Sequence, residues 1–216
     1  MKGYRIAFIR HGITEANEDG RYIGVTDLPL SEFGSKELIE KAGTLSYPRV
    51  QKVYTSPLKR CRQTASILFP ECYAVELPEL REMDFGIFEN RRAQELMETE
   101  EYKQFIRGGL DNPPPKGEST REVVNRCYEA IKMIISDMMY EGLSRTAVVT
   151  HGGIIMNMLG CFGLPKRKPM DYACDFGEGF EVLVTADMWQ RSEAFEVLGR
   201  YPDGEYEDTD AGDYED

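Results

Sequence analysis

Apolar and polar residues along this chain fall into short blocks whose period switches between that of strands and that of helices. Residues 4–9 are an almost unbroken apolar run, the pattern of a strand covered on both faces. Residues 10–30 contain Gly12, Gly20, Gly24 and Pro29 and read as a long loop. Ser31 is placed to cap a helix that runs to about Ala42 and ends at Gly43. Residues 50–55 predict a second strand. Ser56-Pro57 then predicts a helix start, a capping hydroxyl followed by proline at the first helical position, for a helix reaching about Leu68. Residues 73–77 predict a third strand and residues 94–106 a helix. After the irregular segment 112–117, Ser119-x-x-Glu122 forms a capping box. Behind it Val124, Cys127, Ile131, Ile134, Ile135 and Met138 recur at helical spacing, and Gly142 is the expected terminator. Residues 147–150 predict a strand, 153–161 a short apolar helix, and 182–185 and 194–198 two last strands. Strands alternating with helices predict an α/β fold, a three-layer α/β/α sandwich with a mainly parallel central sheet.

Composition narrows the class. With 216 residues, 41% hydrophobic and 30% charged, the chain is expected to form one globular domain over residues 1–201. Lys and Arg number 26 against 38 Asp and Glu, giving a net charge of −12. Residues 203–216 hold eight of those acids and no base, so without them the body carries only −4. Residues 202–216 are therefore expected to be a disordered acidic tail. An acidic chain is a poor nucleic-acid binder. The longest apolar stretch, 152–165, is too short to span a bilayer and contains Asn157, and the N-terminal apolar run is too short for a signal peptide. Five cysteines with no CxxC pair suggest free thiols in a cytoplasmic setting, each acting as a small buried hydrophobe. The pattern does not specify an oligomeric state.

There are only two histidines, and each follows a predicted strand and precedes glycine: Arg10-His11-Gly12 and Thr150-His151-Gly152-Gly153. Ligands in parallel sheets bind beyond the carboxyl ends of strands, and a neighbouring glycine allows close approach. No HExxH, CxxC or comparable ligand spacing accompanies them. Arg10 beside His11, and Arg60 at another strand end, favour an anion instead. Guanidinium forks match phosphate oxygens, and a neutral imidazole is a competent nucleophile toward phosphorus.

The chain resembles the histidine phosphatase superfamily, the phosphoglycerate mutase-like proteins. The resemblance rests on Arg10-His11-Gly12, Asn17, Gly24-x-x-Asp27-x-Pro29-Leu30-Ser31 and Ser56-Pro57-Leu58-x-Arg60-x-x-Gln63-Thr64-Ala65. It continues through Leu80-x-Glu82-x-x-x-Gly86-x-x-Glu89, Gly117-Glu118-Ser119 and Val148-x-Thr150-His151-Gly152-Gly153, all in the family's order. It implies that His11 is the nucleophile that becomes phosphorylated. Arg10, Arg60 and His151 complete the phosphoryl pocket, and Glu82 is the proton donor. Asn17, Gly24 and Gly152 lie near the bound substrate. No metal or organic cofactor is implied, and the expected partner is a small phosphorylated metabolite rather than nucleic acid or membrane. Ile13, Asn90 and Lys116 depart from the family pattern; at the last two, glycine is common.

Three other readings compete. Cys161 and Arg167 satisfy the C-x5-R spacing of cysteine-dependent phosphatases, but Pro165 lacks the N–H that a phosphate loop needs. A mutase must shelter its phosphoenzyme from water, and the stretch between Gly86 and Gly117 is short for a full lid; Arg91, Arg92, Lys103 and Arg107 are its basic residues. A non-catalytic phospho-ligand-binding relative is disfavoured because all five expected catalytic residues are present. Hydrolysis is the expected reaction. Arg21, Arg62, Arg91 and Arg92 are placed to flank the pocket. Tyr22, Phe85, Phe88 and Tyr102 are better read as packing than as a substrate rim.

Overall fold

The computed structural model describes residues 2–45, 47 and 49–202; the expected tail beyond Pro202 lies outside them. In chain order the elements are β1 (Gly3–Arg10), α1 (Glu15–Glu18), α2 (Glu32–Thr44), β2 (Lys52–Thr55), α3 (Lys59–Leu68) and β3 (Ala74–Glu76). These are followed by α4 (Ala93–Leu96), α5 (Glu100–Arg107), α6 (Thr120–Glu141), β4 (Arg145–Thr150) and α7 (Gly152–Phe162). Last come β5 (Gly163–Leu164), β6 (Gly179–Thr185), α8 (Ala186–Ser192) and β7 (Phe195–Tyr201).

One sheet takes the order β3-β2-β4-β1-β6-β7-β5. β3, β2, β4 and β1 pair in parallel, and among the described strands only β6 runs against the rest. The expected mainly parallel sheet is therefore observed. Its period-2 faces divide the core. Ile6 and Phe8 of β1, Tyr54 of β2 and Val148 of β4 pack with Ile131, Ile134 and Ile155 of α6 and α7. Ala7, Ile9, Val53, Ala147 and Val149 pack with Leu38, Cys61 and Ala65 of α2 and α3. Both faces are covered, which is why the central strands read as continuous apolar runs. No helix among the described residues is long and apolar enough to cross a membrane.

Several expected boundaries move. The helix expected over 94–106 is two helices, α4 and α5, with Thr99 as the N-cap of the second. The helix after Ser56-Pro57 starts two residues late, with Leu58 at the cap position; the Ser56 hydroxyl lies 2.9 Å from His151 Nε2 and accepts only a long bond, 3.4 Å, from the Leu58 N–H. In α6 the capping box and the left-handed Gly142 terminator form as expected, but Val123, not Val124, joins the buried stripe. All five cysteines are free, yet Cys161 is exposed and Cys72 half-buried, so the buried-hydrophobe reading holds only for Cys61, Cys127 and Cys174. Cys161 sits in the last turn of α7 and the chain continues into β5, so the C-x5-R spacing builds no phosphate-wrapping loop.

Asn90 and Lys116, two of the departures from the family pattern, both adopt left-handed backbone, with φ of 61° and 63°. Asparagine tolerates this region; lysine carries the Cβ penalty. Lys116→Gly is expected to stabilise the fold by about 0.5–1 kcal/mol, the Cβ relief minus the entropy of glycine. Thermal unfolding should register this as a rise in Tm of about 1–4 °C.

Candidate active site

The parallel strands deliver their carboxyl ends to one place. β1 and β4 are neighbours with Arg10 opposite Thr150, and the His11 N–H donates to the Thr150 carbonyl at 2.9 Å. The next residue on each strand is a histidine, and the two rings lie edge to face at 5.2 Å. β2 ends at the same level, where the Ser56 N–H donates to the Val149 carbonyl. The chain leaving β3 is drawn in by the Thr150 hydroxyl, which donates to the Leu80 carbonyl at 2.8 Å and so brings Glu82 to the site.

His11 is buried, with Nδ1 2.6 Å from the carbonyl oxygen of Gly12. A carbonyl only accepts, so Nδ1 carries the proton and Nε2 keeps its lone pair. Burial, and then the Arg60 charge, hold the imidazole well below its ordinary pKa. Arg60 is 1% exposed and clamps the preceding loop by donating to the Thr26 and Gly24 carbonyls at 2.9 and 2.8 Å. Arg10 donates to the Cys174 carbonyl at 2.8 Å and lies flat over the Phe176 ring, 3.7 Å from its centre. The Nε of Arg10 and the Nε of Arg60 are buried without a hydrogen-bond partner. Orphaned charged donors are costly and rare, so two of them near one imidazole form a socket suited to an anion.

His151 is fully buried; its Nε2 is 2.9 Å from the Ser56 hydroxyl and 3.5 Å from the Cys61 sulfur. Burial and the nearby Arg60 also hold it well below the usual imidazole range. Glu82 is 8% exposed and accepts from the Met83 and Gly153 N–H groups, at the start of α7. Desolvation outweighs these donors and raises its pKa above the ordinary carboxyl value. The two glycines after His151 make room for neighbours rather than for a ligand alone. A Cβ on Gly152 would approach Arg10 Nε to 3.2 Å, and one on Gly153 would meet the Glu82 carboxylate at 2.8 Å.

Arg10, His11, Asn17, Glu82 and Gly152 line one cavity of about 220 Å³; Arg60 and His151 are not part of its lining and instead lie beside His11. Asn17 spends its side-chain oxygen on the Thr14 hydroxyl and N–H, which leaves its NH2 for a ligand. Gly24 stands behind the wall: its N–H donates to Glu89 and its carbonyl accepts from Arg60. Arg21, Tyr22 and Phe85 line the same cavity, whereas Arg62 faces a separate depression and Phe88 and Tyr102 pack with Phe105. The reading by motif missed Ser56 as a partner of His151. Applying the strand-end rule to β2 as well would have found it. Among the described residues, no three His, Cys, Asp or Glu side chains cluster in a way that could hold a metal ion.

Comparison with known proteins decides the family. The model of the histidine phosphatase superfamily (branch 1) matches residues 6–190. The chain belongs to the histidine phosphatase superfamily. Its relatives include proteins named as mutases and proteins named as phosphatases. A protein of Cronobacter sakazakii named "Probable phosphoglycerate mutase" is 34% identical over 170 residues, 74% of this chain and 76% of that one. The α-ribazole phosphatase structure from Shigella flexneri superposes with a TM-score of 0.74 at 26% identity, covering 84% of this chain and 91% of that one. A phosphoglycerate mutase structure from Bacillus anthracis, at 18% identity, shares the fold, with a TM-score of 0.73 over 91% of this chain and 92% of that one.

Keeping two neutral histidines inside this member of the superfamily ties its stability to pH. The unfolded chain binds protons below about pH 6.5 that the folded chain refuses. Stability present above that value is thus lost on acidification, at up to about 1.4 kcal/mol per pH unit for each ring. Glu82 acts in the opposite sense. Folded, it keeps a proton that the unfolded chain releases above about 4.5, so its share of the stability falls as pH rises from there through its folded value. Tm measured from pH 8 to 5.5 is expected to drop from about pH 6.5 downward. His11→Asn should remove one ring's share of that slope.

Proposed function

We propose that this chain hydrolyses a small phosphomonoester through a phosphohistidine on Nε2 of His11, with Glu82 as proton donor. The single observation that carries this reading is the His11 Nδ1 contact with the Gly12 carbonyl at 2.6 Å, which fixes the tautomer with Nε2 unprotonated. The Nε2 lone pair forms the N–P bond as the P–O bond to the leaving group breaks. Glu82 gives its proton to the leaving oxygen, and the alcohol departs. The Glu82 carboxylate then takes a proton from water, the water oxygen attacks phosphorus, the N–P bond breaks and inorganic phosphate leaves. Arg10, Arg60 and His151 stay in place and stabilise charge on the equatorial oxygens. No metal takes part in any step.

A second reading, phosphoryl transfer between positions of a phosphoglycerate, is favoured by the name of the Cronobacter relative. Supporting hydrolysis is the segment between Gly86 and Gly117: none of its residues lines the cavity. The free thiols fit a cytoplasmic setting.

The test is phosphate release from p-nitrophenyl phosphate and from a panel of metabolite phosphates, in excess chelator, with rapid quenching to trap phosphoenzyme. Chelator-insensitive release with an acid-labile, alkali-stable phosphoenzyme is expected. Interconversion of 3- and 2-phosphoglycerate without phosphate release would transfer the assignment to a mutase.

A further inference from the structure

We infer that Arg126 is the positioning residue for Glu82: its guanidinium holds the backbone of residues 79–82 so that the Glu82 carboxyl meets the phosphoryl pocket. This rests on the proton-donor role proposed above and adds a residue outside the matched motifs.

Residues 81–85 belong to no helix or strand. They follow a single helical turn, Pro78–Leu80, whose end leaves carbonyls without intrahelical partners. Arg126, on α6, supplies those partners. Its Nη1 donates to the Glu79 and Arg81 carbonyls at 2.5 and 2.6 Å, and its Nη2 donates to the Glu82 carbonyl at 3.1 Å. The remaining Nη2 hydrogen and the Nε hydrogen go to the two oxygens of Glu118, at 2.9 and 2.8 Å. An arginine has five N–H groups, and this arrangement engages all five. Arg126 and Glu118 side chains are each only 11% exposed, so the pair is a fixed bracket rather than a surface contact. A lysine keeps the charge but offers three donors from one point, and cannot reach three carbonyls and a carboxylate together.

A general acid is sensitive to sub-ångström placement, because its proton must meet the leaving oxygen as the P–O bond breaks. A misplaced acid harms poor leaving groups and largely spares good ones. Arg126→Lys is therefore expected to cut kcat on glycerol phosphate about tenfold more than on p-nitrophenyl phosphate, with KM for both within about threefold. In a Glu82→Gln background the same change should add less than about twofold, since the group it positions is already gone. Equal losses on both substrates, or full additivity with Glu82→Gln, would overturn the inference. If Arg126→Lys does not fold, Glu118→Gln loosens the same guanidinium and should show the same substrate split at smaller size; no split would count against it equally.

A wild-type protein that hydrolyses neither substrate, nor any phosphate of the panel, would sink the proposed reaction and not this placement. The placement is then read from the Glu82 carboxyl 13C titration, assigned by difference from Glu82→Gln. Arg10, Arg60 and Arg126 are the cations facing that carboxyl. Arg126→Lys keeps the charge and frees the backbone. Water then reaches the carboxyl, and its pKa should fall toward the ordinary value; an unmoved titration overturns the inference.

Discussion

His11→Ala is expected to abolish turnover, with a fall of roughly 10⁴-fold or more in kcat on aryl and alkyl phosphates alike. The loss should not depend on the leaving group, because the N–P bond itself cannot form. Binding is a separate matter. The imidazole is neutral in the folded protein, and Arg10, which lines the cavity, and the neighbouring Arg60, both with an unpartnered buried Nε, survive the substitution. Inorganic phosphate should accordingly bind the variant within a few-fold of wild type, as calorimetry can show. The Gly12 carbonyl that fixed the tautomer loses its partner, at a stability cost of about 1 kcal/mol. The cavity left behind is open to small solutes, so added imidazole should restore a fraction of the hydrolysis. Undiminished activity, or a trapped phosphoenzyme in the variant, would place the nucleophile elsewhere.

Glu82→Gln is the second large effect. Glutamine keeps the shape and one of the two oxygens that accept from the Met83 and Gly153 N–H groups, but has no proton to give. Loss of a general acid costs about 10²–10⁴-fold. That loss should appear in full on alkyl phosphates, whose oxyanion is a poor leaving group, and be far smaller on p-nitrophenyl phosphate. The pH profile carries the sign. Glu82 must arrive protonated, so phosphorylation of His11 weakens as pH rises through its pKa. Burial raises that pKa, and the decline therefore begins later than an ordinary carboxyl would allow. Wild type should show this alkaline limb on alkyl substrates and Glu82→Gln should lack it. An unchanged limb in the variant would assign the proton to another group.

The histidines were legible because their signal is local: a strand, a polar residue and a glycine, twice. The register of Arg10 with Thr150 turns that local signal into a shared site. The sheet was legible for the same reason, since apolar runs covered on both faces have few other solutions. Ser56 was misread because a hydroxyl before proline serves a helix cap and a histidine equally well, and only the fold shows which partner is 2.9 Å away. The division of residues 93–107 into α4 and α5 turns on which residue caps, a contest of small energies that spacing does not settle. Glu82 took its meaning from the family resemblance alone. Arg126 left no pattern at all, because three of its partners are backbone carbonyls, which every residue possesses.

Glu89 shows what such backbone contacts make possible. Its carboxylate accepts from the N–H groups of Gly24, Val25, Thr26 and Phe85 and from the Thr26 hydroxyl. Gly24 and Thr26 in turn offer the carbonyls that hold Arg60. The half-buried Glu89 carboxylate thus anchors the loop that holds Arg60 by contacts indifferent to the side chains at positions 22, 23 and 85, which face the cavity instead. The reactive centre and the wall that meets the rest of the substrate are consequently decoupled. On the proposed function, substitutions at Tyr22, Ile23 and Phe85 would exchange one phosphorylated metabolite for another without touching the loop that holds Arg60.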